Sequence, residues 1–404
     1  MVRATTFCAA MFVLSTFATL AEAKDTKVVV TVETARQETA EATKPPFEGK
    51  RASVDVAILL DTSNSMDGLI NQAKSQLWTI VQQFAKAKKN GQTPVLRVAL
   101  FEYGNTGLPA AEGYIRQAVS LTDDLDKLSE ALFALSTNGG DEYCGQVVDE
   151  AITRLDWSKE PNSYKAIFIA GNEPFTQGTV DYQQACRRAI QSGVVVNTIH
   201  CGANREGVDG MWQHAASLAE GEFFNIDQDR AIVHIKCPQD EIIIRLNAEL
   251  NKTYLWYGGR EEKAKFAENQ VAQDANASAT SESVAVGRAI TKAGRAYSNR
   301  GRDLIDATAE DEEVLARVKE EELPESLQAM SPEERKAHVS KLAARRAEVQ
   351  QEINRLAAER EEFLAKERQR LAAETGDETL GDAVVAAVQR QLAASGFETE
   401  AVSE

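Results

Sequence analysis

The sequence predicts an α/β fold: a Rossmann-like, mostly parallel sheet wrapped by helices, then an α-helical, coiled-coil-like C-terminal region. Three observations predict it. Short apolar runs at 54–60, 95–103, 165–170 and 194–200 alternate with segments of helical spacing, the order that builds a parallel sheet covered on both faces. The first of these runs, VDVAILL, is nearly continuous rather than alternating, as expected of a strand with both faces buried. Beyond about Gly259 strand patterns cease and a seven-residue spacing takes over.

The chain begins MVRATTFCAAMFVLSTFATLAEAK. Arg3, the apolar run Met11–Leu20 and the small-x-small triplet Ala21-Glu22-Ala23 predict a signal peptide over 1–23. No later run is apolar for long enough to span a bilayer. The expectation is therefore an exported protein, periplasmic or extracellular, and not integral to the membrane after cleavage. Residues 24–52 are polar, with Pro45-Pro46, and predict a flexible leader.

The run at 54–60 predicts the first strand, and Leu69, Ile70, Ala73, Leu77, Ile80, Val81 and Phe84 predict a helix over 67–89. Asn90-Gly91 stops it, and VLRVALFEY (95–103) is the next strand. Helices follow at 123–135 and 147–155, on either side of a Gly-rich turn, STNGGDEYCG (136–145). KAIFIA (165–170) is a strand, 180–192 a helix, VVVNTIH (194–200) a strand, 210–219 a helix and 222–226 a short strand. Residues 236–259 predict an extension at the edge of this domain, with TYLWYGG (253–259) packing there. Residues 260–285 are polar and Ala/Ser-rich and predict a linker or a poorly packed helix. A helical region spans 286–396, and 397–404 form a tail.

Within that region Ser331-Pro332-Glu333-Glu334 predicts a capped helix start, and a helix over 332–372. Leu342, Val349, Leu356 and Phe363 recur every seven residues, with Val339, Arg346, Ile353 and Arg360 as companions. One seam is apolar and the other half charged. Self-association through these helices, an intramolecular hairpin, or a single helix packed on its apolar stripe all suit the pattern.

The net charge of −17 excludes a general nucleic-acid binder, which needs a basic face. Cys8 leaves with the signal, and Cys144, Cys186, Cys201 and Cys237 remain. Four cysteines outside the cytoplasm allow three pairings, and at least one disulfide is expected.

The first strand ends in LLDTSNSM (59–66). Asp61, Ser63 and Ser65 alternate, so an extended chain points their oxygens the same way. A carboxylate with two hydroxyls suits Mg²⁺ or Ca²⁺ rather than zinc or copper. A plain strand-to-helix turn with Ser65 as its cap would use the same residues. NGGDE (138–142) and GNEPF (171–175) are expected on the same rim, because ligands bind beyond the carboxyl ends of such strands. No Ser/His/Asp order or phosphate-cradling loop is present.

Asp61-x-Ser63-x-Ser65 after an apolar strand resembles the first motif of the von Willebrand factor type A (VWA) domain. The resemblance covers 53–235 and includes the Gly139-Gly140 loop, the GNEP loop and AASLAEGEFFNI (215–226). It implies a metal-ion-dependent adhesion site with a divalent ion, usually Mg²⁺, with Ca²⁺ or Mn²⁺ as alternatives. Asp61 would act largely through water, and Ser63 and Ser65 would ligate directly. A carboxylate from a protein partner would complete the sphere, for binding rather than chemistry. The chain departs from the pattern twice. Asp141 stands where the family has Thr, with Thr137 a few residues earlier. Gly171 stands where it has Asp, with Glu173 nearby. The expected ligand set is thus Asp61, Ser63, Ser65 and Asp141, with Thr137 and Glu173 as further candidates and no catalytic residue. AITKAGRAYSNRGRDLIDA (289–307) resembles the helical tail of bacterial exported type A domain proteins. Two other readings stand beside binding: an envelope scaffold with a metal-free site that binds through its helical tail, and, more remotely, a metal-dependent hydrolase.

Overall fold

A computed structural model describes residues 51–67, 70–226, 235–375 and 380–398. The signal peptide, nearly all of the leader and the last six residues lie outside them. Strands β1 (Ser53–Asp61), β2 (Val95–Tyr103), β3 (Ile115–Thr122), β4 (Tyr164–Gly171), β5 (Val195–Cys201) and β6 (Phe223–Ile226) form one sheet in the order β3-β2-β1-β4-β5-β6. All neighbours are parallel except β2 and β3. β3 has no counterpart in the sequence reading. Only two of its eight residues are buried, so its apolar pattern is weak.

Helix α1 (Ile70–Lys86) follows β1, and α2 (Leu125–Ala134) and α3 (Cys144–Arg154) follow β3. Asp124 caps α2 by accepting from the Asp126 and Lys127 N–H groups. Helix α4 (Tyr182–Gln191) follows β4. The helix expected at 210–219 is α6 (Trp212–Leu218), and a short helix without a counterpart in the sequence reading, α5 (Asn204–Asp209), precedes it, the two parted at Met211 with φ 70°.

Every residue of β1 is buried. Its alternation sends Val54, Val56, Ile58 and Leu60 into one apolar cluster, and Ala57 and Leu59 into another on the opposite face. Helices α3, α4 and α6 close the second face. On the first face α1 and α2 do only part of the work. The rest comes from α7 (Asp240–Asn251), α8 (Arg260–Thr280), α9 (Glu282–Ala293), α13 (Pro332–Thr375) and α14 (Leu380–Ala394), while α10 (Leu304–Glu310), α11 (Val314–Arg317) and α12 (Glu325–Gln328) gather with Leu255 and Val339 in a separate small cluster. Val286, Ala289, Val349, Ile353, Leu356, Val384, Val388 and Leu392 all join the first-face core. Lys50–Glu404 is accordingly one compact unit, not a sheet domain with a loose tail.

Two expectations are corrected here, and one of three alternatives is favoured. Residues 260–285 are not a linker. They hold α8 and the start of α9, and α8 buries Gln270, Gln273 and Ala277. Gln273 Oε1 accepts from Ser129 of α2 at 3.0 Å, so a polar stretch is interior because its amides find partners. The heptad-like seam of α13 packs against α7, α9 and α10 of the same chain. Its two arginines are buried and paired. Arg346 Nη1 donates to Asp303 at 2.6 Å and to Asp306 at 2.7 Å, and its guanidinium lies over the Tyr254 ring. Arg360 donates to Asp240 at 2.7 Å. Tyr254 also stacks on Trp256, and of TYLWYGG the residues Thr253, Tyr254 and Leu255 are buried. Finally, Cys144, Cys186, Cys201 and Cys237 are all free and buried. They lie on α3, on α4, at the end of β5 and just before α7, and pack as small apolar groups. Burial pushes the Cys186 thiol up to about 12.

Removing one partner of a buried ion pair strands the other charge. Arg346→Ala is expected to destabilise the protein by about 3–5 kcal/mol, read as a fall in the denaturant midpoint. The exposed Arg345→Ala should leave that midpoint in place.

Candidate metal centre

β1 is the switch point of the sheet. The chain leaves it for β2 and β3 on one side, then crosses to β4, β5 and β6 on the other. The crevice beyond its carboxyl end is where such folds hold ligands. Asp61 is the last residue of β1, in register with Tyr103 at the end of β2.

Asp61 is fully buried. Its Oδ1 accepts the Ser63 N–H at 2.8 Å, while its Oδ2 has no hydrogen-bond partner. The Ser63 and Ser65 hydroxyls lie 2.8 Å apart, and Ser65 donates to Asn172 Oδ1 at 3.0 Å. Adjacent oxygens around an octahedral Mg²⁺, with bonds of about 2.0–2.1 Å, lie about 2.9 Å apart. The hydroxyl pair and the unpartnered carboxylate oxygen therefore fit a hard divalent ion. Among the described residues no three His, Cys, Asp or Glu side chains converge as a ready cage. An ion here would depend on the serines.

The remaining expected residues divide. Asp141 is exposed and accepts from the Tyr143 hydroxyl at 3.2 Å. Thr137 donates to Asp67 instead of turning to Asp61. Glu173 is half-buried and raises the pKa of Asp61 by repulsion. The carboxylate that comes up to Asp61 is Glu142, which the sequence reading passed over in favour of its neighbour. Glu142 is 5% exposed. Its Cγ and Asp61 Oδ1 both face Gly104, where a side-chain Cβ would stand 2.9 and 2.7 Å from them. Gly104 has φ 79° and no side chain, which leaves the two acids room to share one pocket. The position after Gly-Gly pointed to Asp141, but the chain reaches the pocket one residue later, just before α3 begins at Cys144.

Gly171 has a local reason of its own. A Cβ there would lie 2.4 Å from the Tyr103 hydroxyl and 3.0 Å from Asp61 Cβ and Oδ2. The phenol, donating to the Ala170 carbonyl at 3.0 Å, occupies that space. His200 ends β5 behind the site. Its Nε2 lies 3.3 Å from the Asn172 carbonyl, its Nδ1 3.0 Å from Asn225 Oδ1, and its ring packs edge-on to Trp212. It holds the 171–175 loop and is not aimed at the pocket.

Burial pushes the Asp61 carboxyl up to about 6, with the Ser63 N–H and hydroxyl and the nearby Asn172 N–H pulling it part of the way back. Burial and the nearby Asp61 and Glu173 charges push Glu142 up to about 7. An opposite charge placed between them would favour the ionised form of both acids.

Residues 55–235 match the family model described as von Willebrand factor type A domain. Among solved structures, the VWA domain of SpRpn10 is 16% identical, covering 45% of this chain and 90% of its own, with a TM-score of 0.35. BatB from Bacteroides thetaiotaomicron is 18% identical, covering 43% and 90%, at 0.33. Proximal thread matrix protein 1 from the mussel byssus, with a zinc-occupied MIDAS motif, is 14% identical, covering 45% and 43%, at 0.33. These likenesses are too distant to carry an argument about residues. No curated protein matches.

Two predictions follow from the pocket. Asp61 and Glu142 hold protons more tightly folded than unfolded, so their contribution to stability is full below about pH 4 and is lost as pH rises through about 6 to 7. In chelator, the wild-type melting temperature minus that of Asp61→Asn or Glu142→Gln should fall across that window. Gly171→Asp, which restores the usual family residue, should cost about 1–3 kcal/mol through overpacking, and Tyr103→Phe should recover part of the loss.

Proposed function

We propose that the VWA domain carried by residues 55–235 binds a protein partner through a divalent ion held at Asp61, Ser63 and Ser65, with Glu142 beside them. Mg²⁺ is the first choice, with Ca²⁺ and Mn²⁺ as alternatives. VWA domains are commonly binding modules with a metal-ion-dependent adhesion site, and are usually not catalytic. The observation that carries the reading is the buried, unpartnered Asp61 Oδ2 beside the hydroxyl pair. A buried polar atom with no partner is costly and calls for an explanation. Binding suits the site better than hydrolysis. His200 meets Asn172 and Asn225 rather than a serine, so among the described residues of the pocket no serine is paired with a histidine base. The signal-like first 23 residues favour export, to a periplasm or the extracellular space.

The scaffold reading, with a metal-free site, draws on the lack of a three-carboxylate cage. One experiment separates the two. The full chain is melted in EDTA and in millimolar Mg²⁺, Ca²⁺ or Mn²⁺. An ion at a hundred times its Kd stabilises the native state by about 2.7 kcal/mol. The expected result is a rise for at least one ion that is abolished in Asp61→Ala, reduced in Glu142→Gln and kept in Asp141→Asn. No rise for any ion favours the scaffold.

A further inference from the structure

The rim around this pocket carries charge of one sign. The five segments that surround the pocket, residues 62–69, 104–114, 135–143, 172–181 and 202–211, contain eight carboxylates and a single basic residue, Arg205; the basic residues Arg230 and Lys236 come only in the segment after the edge strand β6. The whole chain has 45 Lys and Arg against 62 Asp and Glu. At that ratio 48 residues would be expected to carry several basic side chains. The rim is therefore distinguished by its lack of cations more than by a surplus of acids. Arg205 does little to relieve it, since its Nε lies 3.5 Å from Asp209 of the same loop.

The acids differ in position. Glu142 is buried beside Asp61, Glu173 is half-buried, and Asp67, Glu112, Asp141 and Glu206 are exposed. An acidic surface alone is no site. Here Asp61 Oδ2, fully buried and without a partner, sits at the centre of the ring. A divalent ion there has its charge cancelled by Asp61 and Glu142. The outer carboxylates then remain unopposed and set the field that an approaching molecule meets. A partner carboxylate would be repelled on approach and would reach an ion already neutralised.

We propose, resting on the ion-dependent binding read above, that the partner presents a Lys/Arg-rich segment to this rim and meets the ion with an uncharged oxygen, a backbone or amide carbonyl, instead of a carboxylate. The acids outside the pocket then steer and hold the cationic segment, while the ion fixes its register.

The probes are two fluorescein-labelled decapeptides, one lysine-rich and one glutamate-rich, titrated with the full chain at low ionic strength in Mg²⁺ and in EDTA. Glu112→Lys with Glu206→Lys reverses charge on the rim without touching the pocket. Glu312→Lys with Glu362→Lys makes the same change in net charge far along the chain. The lysine peptide should bind the wild type in Mg²⁺, about tenfold more weakly to the rim variant and within about twofold of wild type to the distant one. The glutamate peptide should neither bind nor compete. Equal weakening by both variants would mean attraction to net charge alone and would overturn the proposal. So would ion-dependent capture of the glutamate peptide. Rim-dependent binding of the lysine peptide that is the same in EDTA would support the cationic partner and remove the ion from the account.

Discussion

A parallel sheet cannot leave either face to water, and the rest of this protein is arranged around that constraint. β1 has nine buried residues and neighbours on both sides. One face is closed by helices that lie between the strands in sequence, as in any alternating fold. The other recruits helices from the last third of the chain. Those helices are polar by composition, and they become interior by pairing what they bury. Arg288 is nearly sealed off and donates to Asp126 at 2.9 Å and to Asp274 at 2.5 Å, while Lys292 reaches the same Asp274. Asp126 belongs to α2 and Asp274 to α8, so these bonds join the helical region to the sheet domain side chain by side chain. Such groups add little net stability for their number, because desolvation offsets much of the attraction. They do specify which helix goes where.

The pocket uses the same rigidity. Asp61 is set by the register of β1 against β2 and β4, and not by a loop. Tyr103 and Gly104, at the end of β2, shape its walls. Gly171, at the end of β4, is small because the Tyr103 phenol has taken the space. A carboxylate at 171 would have no room beside that phenol, and the acid that stands near Asp61 is Glu142, on the loop before α3.

The sequence made much of this legible. Apolar runs located five of the six strands, because strands buried on both faces have no polar positions to blur them. β3 escaped because it is an edge strand with a mostly accessible surface. Asp61, Ser63 and Ser65 were legible because strand parity dictates their direction. Glu142 was not, because no periodicity runs through NGGDE and adjacent loop residues can point either way. The C-terminal region misled in a different manner. Its seven-residue stripe and charged companions suit a second copy as well as this chain's own helices, and only the buried partners of Arg346 and Arg360, from residues 240 to 306, decide between them. The cysteines were read by compartment, whereas their fate is decided by the separate layers in which they are packed.

One of the last contacts has a consequence in time. Gln391 of α14 accepts from the Tyr164 hydroxyl and exchanges hydrogen bonds with Asn197, across 227 and 194 residues of chain. After α14, Glu398 bridges back to Lys88. The face of the β4–β6 half, which Phe84 of α1 covers only at Tyr164 and Phe168, is thus closed fully once α14 has been synthesised. At about 5–20 residues per second, that interval lasts on the order of ten seconds or more. A nascent sheet with an open apolar face invites wrong partners throughout that time. The molecule has traded early closure for a clasp that arrives late, with α14.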